Sequence, residues 1–269
     1  MQLWIRHETT YTYTAQQAYS IQQLHLTPRL ESHQHALSWQ LSAAGQLHAY
    51  TDAYGNLSHM LTLNAPHTAL TIVAAGTVET TAPQGGRVAS GDALSPLAYT
   101  VPTALTAVTP PIAALAARCI PQPSPLPCTA DAMRLAEGIA AAVRYQSGST
   151  AVGTTAGAAL DLGTGVCQDH AHILVACCHA LGWPARYVSG YIDPGNSGHA
   201  ASHAWVDVWT DDGADVGWVS VDVTHARLMT DAYCRLAVGR DYDSAAPVRG
   251  VRRGAGGESM AATVQVTQQ

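Results

Sequence analysis

Three residues of this chain have the types and the placement for nucleophilic chemistry: Cys167, His203 and Asp222. Cys167 follows the glycine-punctuated stretch Gly163-Thr164-Gly165-Val166 and opens a strongly apolar segment, Gln168 to Leu181, stopped by Gly182 and Pro184. That segment reads as a buried helix with Cys167 in its first turn. Unpaired backbone N–H groups and the helix dipole favour an anion there, and so favour the thiolate, the nucleophilic form of cysteine. The same N–H groups, that of Cys167 included, can stabilise an oxyanion on an acyl substrate. The bland alternative is a small residue buried at a loop–helix junction.

A sulfur nucleophile needs a base. Ser202–Trp209 alternates so that His203, Trp205, Asp207 and Trp209 share one strand face, and Trp218–Val223 likewise aligns Trp218, Ser220 and Asp222. A hairpin with the Asp/Gly-rich loop Thr210–Asp215 would set His203 opposite Asp222, Trp205 opposite Ser220 and Asp207 opposite Trp218. In that register a carboxylate reaches the imidazole, fixes its tautomer and can hold it as an imidazolium. A slip of two residues would keep the faces but separate the pair, and a slip of one would reverse the faces. With 13 histidines in the chain, the competing reading is an ordinary half-buried strand pair carrying a surface histidine.

Other candidates read as structural. His199 and His203 have the i, i+4 spacing of metal ligands, but Pro194, Gly195 and Gly198 argue against a helix there, so neither a metal nor a cofactor is expected. Cys178, grouped with Ala171 and Leu174, reads as core. Cys119, Cys128 and Cys234 are isolated, and no CxxC occurs. Asp169 suits the first helical turn as a carboxylate favoured by the dipole. His170 lies near the helix start with no assigned role. No Trp lies between Trp39 and Trp183, which excludes an indole oxyanion donor just upstream of Cys167, and Gln168 is expected to point round the helix. The second donor stays open.

The elements that must position these residues follow from pattern and composition. Residues 1–80 are a β-rich, sandwich-like domain of short alternating strands (Leu37–Leu41, Leu57–Leu63, Leu70–Val73) separated by turn signals that include Asp52–Asn56 and Gly76. Residues 81–128 hold most of the 14 prolines and read as a connecting region with one short helix at Ile112–Arg118. Residues 129–247 form the α+β core, beginning with a helix capped by Thr129 or Asp131 and running to about Tyr145. Residues 248–269 read as a flexible tail.

The chain has 269 residues, 47% of them hydrophobic and 12% charged, which excludes a disordered polypeptide. A net charge of −6 with no lysine argues against nucleic acid and against an anionic membrane surface as partners. No apolar run of about 18 residues occurs, and the first residues lack the pattern of a secretory signal. Six sparse cysteines do not suggest a disulfide scaffold. A cytoplasmic location is expected, and the oligomeric state is not legible.

Gly165-Val166-Cys167-Gln168-Asp169-His170-Ala171-His172 and Ala180-Leu181-Gly182-Trp183-Pro184-Ala185-Arg186-Tyr187-Val188-Ser189-Gly190-Tyr191 resemble the core of the bacterial transglutaminase-like proteins, often described as cysteine proteases. His203-Ala204-Trp205-Val206-Asp207-Val208 and Gly217-Trp218-Val219-Ser220-Val221-Asp222-Val223-Thr224 resemble the His and Asp motifs of that family. Thr9–Tyr13, Leu24–Arg29 and Asp52–Asn56 resemble its β-rich N-terminal domain. The resemblance implies a papain-like core and carries the family's nucleophile, histidine and aspartate onto Cys167, His203 and Asp222. The chain departs from the family at Asp222-Val223-Thr224-His225, usually Asp-Pro-Thr-Asn, and at His170, usually aromatic. Both departures lie beside the triad and bear on substrate preference more than on chemistry.

Two functions follow as expectations. The first is thiol-dependent acyl transfer at an amide of a peptide or protein, through a Cys167 thioester resolved by water (a peptidase or amidase) or by an amine (a transglutaminase). The second is a catalytically silent scaffold that holds a peptide on its β-rich domain.

Overall fold

The computed structural model describes residues 1–89, 94–193, 195 and 202–269. Fifteen strands among these residues are β1 (Gln2–Leu24), β2 (Gln34–Ala43), β3 (Gln46–Thr51), β4 (Leu57–Leu63), β5 (His67–Thr80), β6 (Arg87–Val88), β7 (Arg144–Tyr145), β8 (Thr164–Gly165), β9 (Ala185–Ile192), β10 (Ser202–Asp211), β11 (Val216–Asp222), β12 (Arg227–Leu228), β13 (Tyr233–Gly239), β14 (Val248–Gly254) and β15 (Glu258–Gln268). The helices are α1 (Pro110–Cys119), α2 (Thr129–Ala142), α3 (Ala156–Leu162), α4 (Cys167–Ala180) and α5 (Tyr242–Ala245). The fold is α+β.

The N-terminal sheet is built on β1. Its first half pairs with β5 on one side and β15 on the other, and its second half pairs with β4 and β14. The ladders break around residues 13–17, and the two halves meet over one core that includes Leu24, Leu61, Leu70 and Ile72. The module is therefore one curled seven-stranded sheet, only loosely sandwich-like, and not two separate sheets. Gly76 does not mark a turn. It lies inside β5, where a Cβ would collide with the Ser38 carbonyl at the β2 irregularity, so the glycine serves a close backbone approach.

Residues 248–269 are not a flexible tail. β14 and β15 run one after the other along nearly the whole of β1, from Leu24↔Val248 to Leu3↔Gln268. Most of their side chains are exposed, so the segment carries little hydrophobic signal. Backbone pairing holds it, with Val266 as a buried anchor.

The second sheet has the order β12-β11-β10-β9-β13, with β6 added to β11. Ala204, Val206, Val208, Val219 and Val221 pack on the helical layer around α4. Trp205, Trp218, Val188 and Tyr233 form a separate core on the opposite side, closed by Val88 and Tyr99. The described part of the region 81–128 is thus packed structure and not a bare connection. It supplies that cover, the strand β6, and α1, whose Ile112, Leu115 and Ala116 are buried with α4. The N-cap of α2 is Cys128 and not Thr129 or Asp131; Asp131 stands in the first turn, where its carboxylate accepts the Cys128 N–H at 3.1 Å. The helix ends at Ala142, before the expected Tyr145. The short helix α3 has no counterpart among the elements expected from the sequence.

The two sheets meet at the β13 edge. The Gln34 amide donates to the Arg235 carbonyl and accepts its N–H, and the Asn56 amide does the same at Val238, all at 2.8–2.9 Å. Side chains of the N-terminal module thereby satisfy backbone groups that an edge strand would otherwise leave open. Leu3, Ile5 and Val78 complete the junction against Tyr191, Cys234 and Leu236.

Candidate active site

Cys167 is the first residue of α4, a helix so buried that Asp169 through Cys178 are all inaccessible. β7 and β8 pair in parallel just ahead of it and fix its approach. Asp169 then ties the first turn: its Oδ2 accepts the Val166 N–H at 2.8 Å and the Thr150 hydroxyl at 2.6 Å. Gly165 makes room, because a Cβ there would lie 2.8 Å from the Asp169 Cβ. The carboxylate expected to answer the helix dipole is thus also a lock on the loop that presents the sulfur.

His203 and Asp222 are joined, with Nε2 to Oδ2 at 2.8 Å. The register differs from expectation by two residues: Asp207 pairs with Ser220 and Trp209 with Trp218. The expected separation does not follow, because the side chains of His203 and Asp222 reach across the diagonal of the ladder. Asp222 Oδ2 also accepts from Tyr233 at 2.6 Å and from His225 Nδ1 at 2.6 Å, while the His225 N–H reaches Oδ1 at 3.2 Å. Burial alone would raise the Asp222 carboxyl. Its contacts with His203, His225 and Tyr233 outweigh that and hold it well below the usual carboxylate range. Burial likewise disfavours a charged His203, but hydrogen bonding to Asp222 and to Cys167 raises it to about 9. With Nε2 committed to Asp222, Nδ1 is the nitrogen left for the Cys167 thiol.

Cys167 and His203 face one cleft of about 210 Å³, walled by Tyr187, Ser189, Ala204, Tyr242 and Pro247. Its far wall is pinned from behind. Ser189 Oγ donates to the Ala245 carbonyl at 2.6 Å, and the Tyr242 N–H donates to His172 Nε2 at 3.0 Å. Burial lowers His172 to about 4, which keeps it neutral and able to accept. Gln168 also borders the cleft, but its amide is spent on the Val152 carbonyl at 2.9 Å.

Beneath His203 and Trp205 lies a buried ionic network. Asp207 accepts from Arg235 at 2.9 and 2.6 Å, from Arg186 at 2.7 Å and from Ser220 at 2.7 Å, and Ser220 accepts the Trp205 indole N–H at 2.9 Å. Arg235 also pairs with Glu31 of the N-terminal module at 2.7 Å. Burial would raise the Asp207 carboxyl, but Arg235 and Arg186 hold it far below its ordinary range. The Arg186 guanidinium lies 4.3 Å over the Trp218 ring. The network links the strand that carries His203 to the strand that carries Asp222.

The structure brings Cys167, His203 and Asp222 to one site and leaves the structural candidates elsewhere. Cys178 is buried in the core. Cys234 lies in β13 and Cys119 packs on the helical layer. His170 bridges Thr224 Oγ1 and the Val143 carbonyl, both at 3.0 Å, and joins α4 to the end of β11. His199 lies outside the described residues. Sequence reading missed Tyr233, Tyr242 and the Arg235 side of the network, which come from elements with no motif of their own, and gave no role to His172, which lies inside the α4 motif. Asp207 carried a signal in its alternation with His203.

A helix that presents a cysteine to a strand histidine beside an antiparallel sheet is an arrangement that a transglutaminase-like core provides. Residues 3–79 match the bacterial transglutaminase-like N-terminal region, and residues 114–223 match the transglutaminase-like superfamily. An uncharacterised protein of Mycobacterium leprae is 31% identical over 278 residues, covering 97% of each chain. An uncharacterised protein of Mycobacterium tuberculosis is 33% identical over 270 residues, covering 92% of this chain and 86% of its own. A structure from Cytophaga hutchinsonii described as a "Putative Cysteine Protease" shares the fold, with a TM-score of 0.77 at 22% identity over 99% of this chain and 90% of that one. The chain belongs to the transglutaminase-like superfamily and carries the bacterial N-terminal region of that family.

Proposed function

We propose that the protein is a thiol-dependent acyltransferase acting on amide bonds of peptides or proteins, with Cys167 as nucleophile, His203 as base and then acid, and Asp222 orienting His203. The observation that carries this reading is the geometry at His203, whose Nε2 is held by Asp222 at 2.8 Å while Cys167 borders the same cleft at a helix N-terminus. His203 takes the thiol proton, and the sulfur attacks the carbonyl carbon. The proton then passes to the leaving amine as the C–N bond breaks, and a thioester remains. Water or a second amine, deprotonated by His203, resolves the thioester.

The Cys167 backbone N–H supplies one oxyanion donor. We assign the second to the Tyr187 hydroxyl, because Tyr187 lines the cleft, lies close enough to Cys167 to interact with it electrostatically, and is held protonated by burial. The test is turnover of a peptide-amide library by the purified protein, with and without a primary amine. Cleavage or amine incorporation that is absent in Cys167→Ala supports the reading, and the ratio of the two products says whether water or amine is the acceptor. No turnover with any substrate, and no acylation of Cys167, favours the silent scaffold.

A further inference from the structure

Asp222 holds two imidazoles, and the proposed mechanism uses only one. His225 Nδ1 lies 2.6 Å from the same Oδ2 that holds His203 Nε2 at 2.8 Å. The three potential ligand atoms lie within 4.8 Å of one another. The donors converge from two strands and the turn after β11, and their rings stand 5.3 Å apart. His203 and Asp222 are buried, but the His225 side chain is 45% exposed, which gives an ion a way in and leaves room for a solvent ligand.

We propose that His203, Asp222 and His225 form a binding site for a zinc-type divalent cation, and that its occupation switches the Cys167 centre off. Two imidazole nitrogens and one carboxylate oxygen suit Zn²⁺ and its neighbours, not Ca²⁺ or Mg²⁺, which take oxygen ligands. Metal–ligand bonds of about 2.0–2.2 Å place tetrahedral donors roughly 3.3 Å apart. The two contacts to the carboxylate oxygen, 2.8 and 2.6 Å, need to open by about 0.5 and 0.7 Å; a turn of the exposed His225 ring provides the second, and a small shift of the His203 ring the first. The Tyr233 hydroxyl, 2.6 Å from the carboxylate, would hold Asp222 from the second layer.

The inhibitory step follows from proton bookkeeping. Coordination takes the lone pair of His203 Nε2, so the one proton left on the neutral ring sits on Nδ1. That nitrogen is the one that must accept the thiol proton, and the base is lost. Where His203 is an imidazolium, binding releases one proton to solvent. Metal binding stands on the geometry alone, and only the inhibition rests on the proposed function.

The experiment titrates Zn²⁺ into Cys167→Ala, which removes sulfur as a competing ligand, against a chromogenic chelator. One equivalent should bind, and adding His225→Asn should weaken that binding at least about 10-fold. Equal affinity in the two proteins overturns the site. Co²⁺ added to the unmodified protein tests it without any variant. Tetrahedral d–d absorption without a sulfur charge-transfer band supports the three ligands, and a charge-transfer band that disappears in Cys167→Ala, which would mean Cys167 ligation, contradicts them. Alkylation of Cys167 in the unmodified protein should slow with Zn²⁺ and recover with chelator. Zinc binding at this site without any effect on alkylation would remove the inhibition and keep the site, whereas alkylation that is slow even without metal would count against the proposed function instead.

Discussion

His203 and Asp222 meet at 2.8 Å from diagonal positions of the β10–β11 ladder, not from directly opposed ones. The diagonal has a structural use. It lets Asp207 pair with Ser220 one step further along, so that the buried network begins immediately below the imidazole.

Asp222→Asn removes the acceptor that selects the His203 tautomer. An amide offering its N–H to Nε2 would force the ring proton onto Nδ1, the atom that must take the thiol proton. Turnover should fall by about 10⁴-fold, the loss such a tautomer change causes in a serine triad. Undiminished turnover would take Asp222 out of the mechanism.

The pH dependence of stability should report His203. Its value is raised from 6.5 to about 9 in the fold, so its contribution is fully present below pH 6.5 and is lost as pH rises through about 9. The shift corresponds to at most about 3 kcal/mol. The difference in Tm between the parent and His203→Asn should therefore be largest below pH 6.5 and should shrink toward pH 10. A difference that is flat with pH would mean that the charged imidazole is not held by Asp222 and Cys167.

The sequence made Cys167, His203 and Asp222 legible as candidates because each sits in a strong local pattern: a stop-bounded apolar helix and two alternating strands. Register was not legible, because side-chain alternation is the same in two registers two residues apart. The strands β14 and β15 are not legible for a related reason. Their pairing is made by backbone groups while their side chains face solvent, so glycine, arginine and threonine there look like a tail. Tyr233, Arg235 and Glu31 are brought to the site by long-range packing, which short-range pattern does not encode.

Asp207→Ala should destabilise the protein by about 3–5 kcal/mol in urea unfolding, since it removes the buried carboxylate that the Arg186 and Arg235 guanidinium groups share. The loss should grow out of the junction as well as the site, because Arg235 also pairs with Glu31. A change below about 1 kcal/mol would mean that the network is solvated and adds little.

Removing residues 258–269 should lower Tm by about 4–8 °C, because it strips a ladder from Leu3 to Tyr13 and uncovers the apolar junction at Val266. An unchanged Tm would restore the flexible-tail reading.

Tyr187→Phe keeps the ring and deletes the hydroxyl assigned to the oxyanion. It should lower kcat by about 10²-fold with little change in KM. A loss confined to KM would make Tyr187 a substrate-binding wall instead.

Peptide-mapped iodoacetamide labelling at pH 6 tests the central claim most directly, because it asks whether His203 activates the Cys167 sulfur and needs no substrate. Cys119 and Cys128 serve as internal references, being partly exposed like Cys167. Cys167 should label at least about 10-fold faster than either, and His203→Asn should bring it down to their rate. Labelling of Cys167 at the reference rate in the parent protein, unaffected by His203→Asn, would contradict the account.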